Sequence, residues 1–502
     1  MSYQLKLDRV AEILRENQYY TSLAHLFMWD HWGHLHSQGQ PYRRDMQGYY
    51  ASKQGELFQG KEVRGLASWF SDLDDSRLES DAERGMIRQF LRLYSSMGRV
   101  PAELQGRHSA AVAGAQAVWL DAYERSDYSL YKATLEEMFA IKREIAAAID
   151  KTREPFEVLA GLQDEGIDIG EVAVLFRELR GGIAGLLTQI QNSGIEIDSS
   201  CLEQACNRES VRGLLIYIAE RMGYSPETGG GYIHVQHPFT AIIGPKDARI
   251  TSNYDSLHFG LFAGLHEAGH AIYATGANPE VVSHHLWGGN LGGFHESQSR
   301  FYENIIGKSK EFLAYCYPEM QRRLPQFQSI GADAFYRAAN KVTPSLKRVL
   351  ADELTYSLHP IIRFEVERAL FDGEVDFERL PEFWNDKYEE YLQVRPQNDR
   401  EGVLQDIHWA IGGIGYFQSY ALGNLIGGQL RAALLREIPD VYLRIEAGDF
   451  GSLNRWLGHN IHQYGCMYSP NEVLVRATGE KLQSKYFLEY LNGKYKALYQ
   501  IE

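Results

Sequence analysis

The chain has 502 residues, 44% of them hydrophobic and 23% charged, and this ordinary globular composition excludes a disordered or fibrous protein. Its 51 basic and 66 acidic side chains give a formal net charge of −15, which makes nucleic acid an unfavourable partner. The most apolar stretch, residues 257–277, contains three histidines and a glutamate, so no membrane span is predicted.

Cysteine usage and the first residues bear on the cellular compartment. The four cysteines are too sparse for a disulfide framework and form no C-x-x-C pair. The chain begins with polar and charged residues rather than with the apolar run of a secretory signal. We therefore expect reduced thiols and a cytoplasmic location.

Helical patterns dominate the first 222 residues. A capping-box pattern from Ser80 to Glu83 predicts a helix to about residue 97, and Pro101 precedes an Ala-rich helix to about residue 123. Residues 130–151 keep the helical period, and Pro155 with nearby glycines indicates a break. Further helices are predicted over residues 171–193 and 209–222.

A short β element interrupts this pattern. Residues 232–253 are rich in β-branched side chains between glycines and prolines, which predicts a small hairpin or ribbon. The rest of the chain returns to helical patterns, at residues 257–275, 296–306, 310–373 with breaks near Pro344 and Pro360, 381–393, 403–437 and 472–491. We predict a mainly α fold that forms one domain over residues 1–502, with two helical lobes as the alternative arrangement.

The motif with the clearest chemistry is L-H-E-A-G-H at residues 265–270. His266 and His270 stand four residues apart, which puts both imidazoles on one face of a helix where they can reach one Zn²⁺ ion. Glu267 projects beside that ion and can act as a general base, as in the H-E-x-x-H pattern of zinc peptidases. Ionisable side chains on an otherwise apolar helix are costly unless something binds them.

A catalytic zinc needs a third protein ligand. Position 276 is a glycine, so the third histidine of the metzincin pattern is absent. Glu296, in a predicted helix 26 residues after His270, is the main candidate. The neighbouring His295 is its rival, and His284 and His285 are more remote alternatives.

The chain resembles the carboxypeptidase Taq family of zinc metallopeptidases. Six motifs match in order, namely H-P-F at 237–239, D-x-R-x-T at 247–251, H-E-x-G-H at 266–270, H-E-S-Q-S at 295–299, I-R-F at 362–364 and G-x-x-Q-D-x-H-W at 402–409. The likeness extends into residues 416–425 and back to residues 28–30, so it covers most of the chain.

This resemblance implies a large helical zincin-like body with a deep central groove and a β ribbon beside the zinc helix. It implies a broad-specificity carboxypeptidase with one Zn²⁺ per chain that acts as a homodimer on peptides with a free C-terminus. Co²⁺ could also fill such a site. Arg363 would bind the substrate carboxylate, with Arg249, His237 and Tyr416 also binding substrate. Glu267 would be the general base for a zinc-activated water, and Tyr420, Tyr416 or His408 would stabilise the oxyanion.

Two other functions remain open from the residues alone. A related helical zinc oligoendopeptidase would cut peptides internally and would need no carboxylate anchor. A helical binding or scaffold protein could keep a vestigial zinc site, although zinc binding alone does not require Glu267.

Overall fold

A computed structural model describes residues 2–74 and 78–502. The helices before the sheet are α1 Tyr3–Gly33, α2 Gln40–Gln59, α3 Lys61–Ser71, α4 Asp81–Leu93, α5 Ala102–Arg125, α6 Ser129–Ile149, α7 Pro155–Gln163, α8 Ile169–Asn192 and α9 Arg208–Arg221. The strands are β1 Gly229–His234, β2 Thr240–Gly244 and β3 Asp247–Ser252.

The helices after the sheet build the rest of the body. They are α10 Gly264–Thr275, α11 Pro279–Ser283, α12 Gly292–Arg300, α13 Lys310–Arg323, α14 Ala332–Ala339, α15 Glu353–Tyr356, α16 Leu358–Asp372, α17 Leu380–Leu392, α18 Gln418–Glu437, α19 Val441–Glu446, α20 Gly451–Asn460, α21 Pro470–Thr478 and α22 Lys485–Leu498. The predicted mainly α class is therefore confirmed. Among the described residues, no helix is both long enough and apolar enough to cross a membrane.

Several predicted boundaries were wrong, each for a local reason. Residues 403–417 form no α-helix and contain only a 3-10 turn at His408–Ile411, because glycines with positive φ at 412 and 415 turn the chain before α18 begins. Gly479, also at positive φ, ends α21 and separates it from α22 within the single helix predicted there. Pro155 begins a helix, a position where a missing N–H costs nothing. The predicted break near Pro360 is present at Ser357, between α15 and α16, and Pro360 itself lies in the first turn of α16.

The β element is a three-stranded sheet in the order β1-β3-β2 rather than a simple hairpin. β3 pairs antiparallel with β2 and parallel with β1. Helix α10 packs against β2 and β3, and α1 lies along β2. The sheet thus forms one wall beside the helix that carries the H-E-x-x-H motif.

Glycines allow three helices to approach closely around that motif. A side chain at Gly269 on α10 would lie 2.8 Å from the backbone of α12, at the Gln298 carbonyl oxygen. A Cβ at Gly423 on α18 would lie 2.9 Å from the Cβ of Glu296 on the other side of α12. Helix α12 is therefore held tightly between α10 and α18, which fixes the position of Glu296.

Candidate metal centre

The structure brings His266, His270 and Glu296 together. One ligand atom from each of these residues lies within 4.8 Å of the other two. Such a group of side chains could hold a metal ion. The Nε2 atoms of both histidines lie 3.6 Å from Oε2 of Glu296. Two turns of α10 and one turn of α12 therefore present three donors to a common point.

The Nδ1 atoms of His266 and His270, on the sides of the rings away from Glu296, each contact another side chain. Nδ1 of His266 donates to Oε2 of Glu303 at 2.9 Å. Nδ1 of His270 lies 2.6 Å from Nδ1 of His295, within hydrogen-bond distance. These contacts orient both rings so that Nε2 faces the common point. His295, the rival ligand, thus contacts His270 from the side away from Glu296.

Arg300 links the carboxylates around the two histidines. Its Nε donates to Oε1 of Glu296 at 2.8 Å and its Nη1 to Oε2 of Glu303 at 3.2 Å. The guanidinium also lies 3.8 Å from the ring centre of Tyr356. Burial alone would raise the pKa of Glu303, but Arg300 and the hydrogen bond from His266 hold it well below its usual range.

Glu267 lies on α10 beside the converging donors and is 7% exposed. Thr240 of β2 donates its hydroxyl to Oε2 of Glu267 at 2.6 Å. Burial raises the pKa of Glu267, although the His266 ring and the Thr240 hydrogen bond lower it. A carboxylate with a raised pKa in a cavity is suited to take up and release a proton.

These donors line a cavity of about 730 Å³, called here the metal cavity. Its metal end is formed by His266, His270 and Glu296, and a second part is lined by Arg348, Tyr356 and Tyr420. We call this second part the arginine end.

Arg348 provides a fixed cation at the arginine end. Its Nη1 donates to the Tyr356 hydroxyl at 3.2 Å and its Nη2 to Oδ1 of Asp406 at 3.3 Å. The guanidinium lies 4.7 Å from the ring centre of Tyr420. Among the described residues, none accepts a hydrogen bond from the buried Nε of Arg348.

The predicted role of Arg363 does not fit its position. Its side chain is 0% exposed and does not line the metal cavity. It donates to Asp406, to Gln405 and to the Tyr388 hydroxyl. Burial alone would raise the pKa of Asp406, but Arg363 and Arg348 together hold it well below its usual range. Arg363 therefore holds Asp406 in place, and of the two arginines bound to Asp406 only Arg348 lines the metal cavity.

The remaining predicted residues divide into two groups. His237, Tyr416 and Tyr420 line the metal cavity. Arg249 does not line it, because its guanidinium is paired with both oxygens of Asp247 on the same strand.

His408 does not line the metal cavity but packs against Tyr416 and Tyr420, which do. Its ring stacks on Tyr416, and its Nε2 lies 3.4 Å from the Tyr420 hydroxyl. Burial lowers the pKa of His408, although Asp406 raises it.

The sequence did not predict four further residues of the site, namely Arg300, Glu303, Thr240 and Arg348. Arg300 and Glu303 follow Glu296 by four and seven residues, so helical spacing could have placed all three on one face. Thr240 lies on β2, and Arg348 lies in the segment between α14 and α15. Both meet the cavity through tertiary packing, which the spacing of residues along the sequence does not reveal.

Comparisons with known proteins agree with this geometry. A profile described as Carboxypeptidase Taq (M32) metallopeptidase matches residues 9–495. Carboxypeptidase 1 of Bacillus subtilis (strain 168) is 33% identical over 491 residues, covering 97% of each chain. Thermostable carboxypeptidase 1 of Thermus thermophilus is 33% identical over 518 residues, covering 99% of this chain and 100% of the relative. The crystal structure of an M32 carboxypeptidase from Deinococcus radiodurans R1 superposes with a TM-score of 0.93 at 30% identity, covering 99% of this chain and 100% of that one.

Proposed function

The chain belongs to the carboxypeptidase Taq (M32) family of metallopeptidases, and we propose that it removes C-terminal residues from peptides with Zn²⁺ held by His266, His270 and Glu296. As a member of this family it is a peptide hydrolase that depends on a metal ion. The observation that carries the proposal is the presence of three converging donors and a fixed guanidinium in one cavity.

The donor set fits zinc. Ligand atoms around a tetrahedral Zn²⁺ with bonds of about 2.0–2.1 Å stand roughly 3.4 Å apart. The two separations of 3.6 Å from Glu296 to the histidine nitrogens are close to that value. Two imidazoles and one carboxylate leave a fourth position free, as in catalytic zinc sites, and Co²⁺ would accept the same donors.

Glu267 has the central role in proton transfer. A metal ion bound at the site would polarise the scissile carbonyl and lower the pKa of the attacking water. Glu267 would accept the proton of that water and pass it to the leaving amine. Thr240 holds the carboxylate of Glu267 in place for both steps.

Arg348 would bind the free carboxylate of the substrate. A guanidinium binds a carboxylate through two parallel hydrogen bonds, and this one is already oriented by Tyr356 and Asp406. Asp406 is shared with the buried Arg363, so it does not fully neutralise Arg348. This geometry favours removal of terminal residues over internal cuts.

Tyr416 is our choice for stabilising the oxyanion, with Tyr420 as the next candidate. Burial and the nearby Glu296 carboxylate raise the pKa of Tyr416, so its hydroxyl keeps its proton. A protonated hydroxyl in the cavity can donate to the developing negative charge. The ring of Tyr416 packs edge-on against Tyr420, which restrains its position.

Mass spectrometry of peptide products tests this proposal. Zinc-loaded protein is incubated with a short peptide carrying a free C-terminus and with the same peptide amidated. We expect single residues to be lost in order from the free peptide, little cutting of the amide, and no activity after chelation. Internal cuts in both peptides would instead indicate an oligoendopeptidase. Bound zinc with no cutting would indicate a vestigial site.

Two further properties are proposed from the sequence. A homodimer is implied by the family resemblance, and sedimentation of the purified protein would test it. A cytoplasmic location follows from the sparse cysteines, and fractionation of the source cells would test it.

A further inference from the structure

A second cavity of about 220 Å³ adjoins the metal cavity. The two share four lining residues, His25, Gln163, Ile242 and Leu291. Arg348, Tyr356 and Tyr420 do not line this side cavity. A substrate whose carboxylate lies at Arg348 would therefore reach the side cavity only with residues upstream of the bond that is cut.

The walls of the side cavity suit an uncharged ring. They include the apolar side chains of Leu14, Leu93, Ile242, Trp287, Leu291 and Pro470. An apolar cavity of about 150 Å³ is large enough to bind benzene, so this one has room for an aromatic side chain. The indole of Trp287 offers a ring surface for such a side chain to pack against.

The charges around the side cavity point to the same class of ligand. Its charged lining residues are Arg92 and Glu165. Glu165 is already paired with Arg88. Arg92 donates through Nη2 to the Leu162 carbonyl oxygen, while its buried Nε has no partner among the described residues. Arg92 forms no ion pair among the described residues, although its charge also acts on the buried Asp164. Such a guanidinium attracts the face of an aromatic ring and repels a lysine or arginine side chain.

The opening between the two cavities also has free polar groups. Nδ1 of His25 lies 2.7 Å from the Ile242 carbonyl oxygen and 3.0 Å from the Ile242 amide nitrogen, and these contacts fix the ring at the opening. Within the described part of the chain, neither Nε2 of His25 nor the side-chain amide of Gln163 has a hydrogen-bond partner. Both groups are available to the backbone of a peptide that passes from one cavity to the other.

We propose that the side cavity is a specificity subsite for an aromatic side chain of the substrate, upstream of the scissile bond. The inference rests on the proposed function, because it assumes that the substrate carboxylate lies at Arg348. The subsite adds a preference for the side chain at one position upstream of the scissile bond, in the part of the peptide that remains after the C-terminal residue is removed. Such a subsite selects peptides mainly through binding, so it acts on KM more than on kcat.

The test uses zinc-loaded protein and acetylated alanine hexapeptides that end in leucine. One phenylalanine or one lysine is moved through the upstream positions, and the initial rate of leucine release is measured. We expect phenylalanine at one upstream position to raise kcat/KM on the order of tenfold over alanine, mainly through KM. Lysine at that position should give no gain.

Two variants locate the preference in the side cavity. Leu93→Trp fills it and Trp287→Ala removes one wall, and both should bring the phenylalanine-to-alanine ratio close to one. The exposed Gln189 on α8 lies outside both cavities, so Gln189→Trp is the matched control and should keep the wild-type ratio. A ratio of rates does not depend on the fraction of folded protein.

The outcomes separate this inference from the proposed function. Leucine release from all peptides at equal rates would overturn the subsite and leave the carboxypeptidase in place. A phenylalanine preference that persists in both cavity variants would also overturn the subsite. Absence of leucine release from every peptide, with zinc bound, would contradict the proposed function itself.

Discussion

The two ends of the metal cavity differ in the sign of their charge. At the metal end, the carboxylates of Glu267, Glu296 and Glu303 are buried or half-buried, and Arg300 is the guanidinium that contacts Glu296 and Glu303. The buried Lys308 is a further cation near Glu303. At the arginine end, Arg348 and Arg363 share the single carboxylate of Asp406. One end thus has excess negative charge and the other excess positive charge.

This difference shows how each end is matched to its ligand. Buried charge without a partner is costly, so each end is stabilised when an ion of opposite sign binds. A divalent cation suits the metal end, and a carboxylate suits the arginine end. The following predictions test whether the two ends act separately.

The largest effect is expected for Glu267→Gln at the metal end. The amide cannot accept a proton, so kcat should fall by roughly 10²–10⁴-fold. Zinc content should stay at one ion per chain, because Glu267 is not among the three donors. Metal analysis and steady-state kinetics on the same preparation check both points. Substantial activity in the variant would remove Glu267 from its assigned role.

The next effect is expected for Arg348→Ala at the arginine end. Loss of a charge-assisted pair should lower kcat/KM on free-acid peptides about 100-fold, with zinc content unchanged. Arg363→Ala is the informative comparison, since it leaves Asp406 buried with one partner fewer and should destabilise folding by about 3–5 kcal/mol. If both variants lost activity equally while folding equally well, Arg348 would not be the anchor.

A smaller effect is expected for Glu303→Gln, which changes a contact behind the metal end. The hydrogen bond from His266 would lose its charged acceptor, and zinc affinity should fall by about 10–100-fold. Competition with a zinc chelator measures this affinity, and added zinc should restore most of the activity. Unchanged affinity would mean that Glu303 does not hold the His266 ring.

The sequence predicted the metal end far better than the arginine end. His266, Glu267 and His270 are close because helical geometry brings residues four apart together, and this geometry is readable from spacing. Arg363 and Arg348 both bind Asp406. Which of them lines the cavity depends on how α16, the segment around Arg348 and the loop at 402–417 pack together, and local spacing does not reveal this packing. That loop was itself predicted as helix.

The smallest effect concerns Glu367, which anchors the same loop. Its carboxylate accepts hydrogen bonds from Trp409 Nε1 at 2.7 Å and from the Gly415 amide at 3.0 Å. Burial raises the pKa of Glu367 from an ordinary 4.5 to about 7, although these hydrogen bonds and the charges of Lys142 and Arg363 lower it. Between those two pH values the folded protein keeps a proton at Glu367 that the unfolded chain releases.

The free energy of unfolding should therefore decrease as the pH rises through this range, by up to about 1.4 kcal/mol per pH unit from this group. Glu367→Gln cannot titrate and should remove that part of the slope. Urea unfolding of both proteins at pH 5, 6 and 7 measures it. Identical slopes would show that Glu367 has no raised pKa.

The most direct test of the two-ended cavity is a binding measurement on the zinc-loaded Glu267→Gln protein. Calorimetry with one peptide as free acid and as amide reports the contribution of the carboxylate without turnover. We predict that the acid binds on the order of tenfold or more tightly, and that adding Arg348→Ala abolishes this difference. Equal affinities for acid and amide, or a difference that survives the loss of Arg348, would contradict the account.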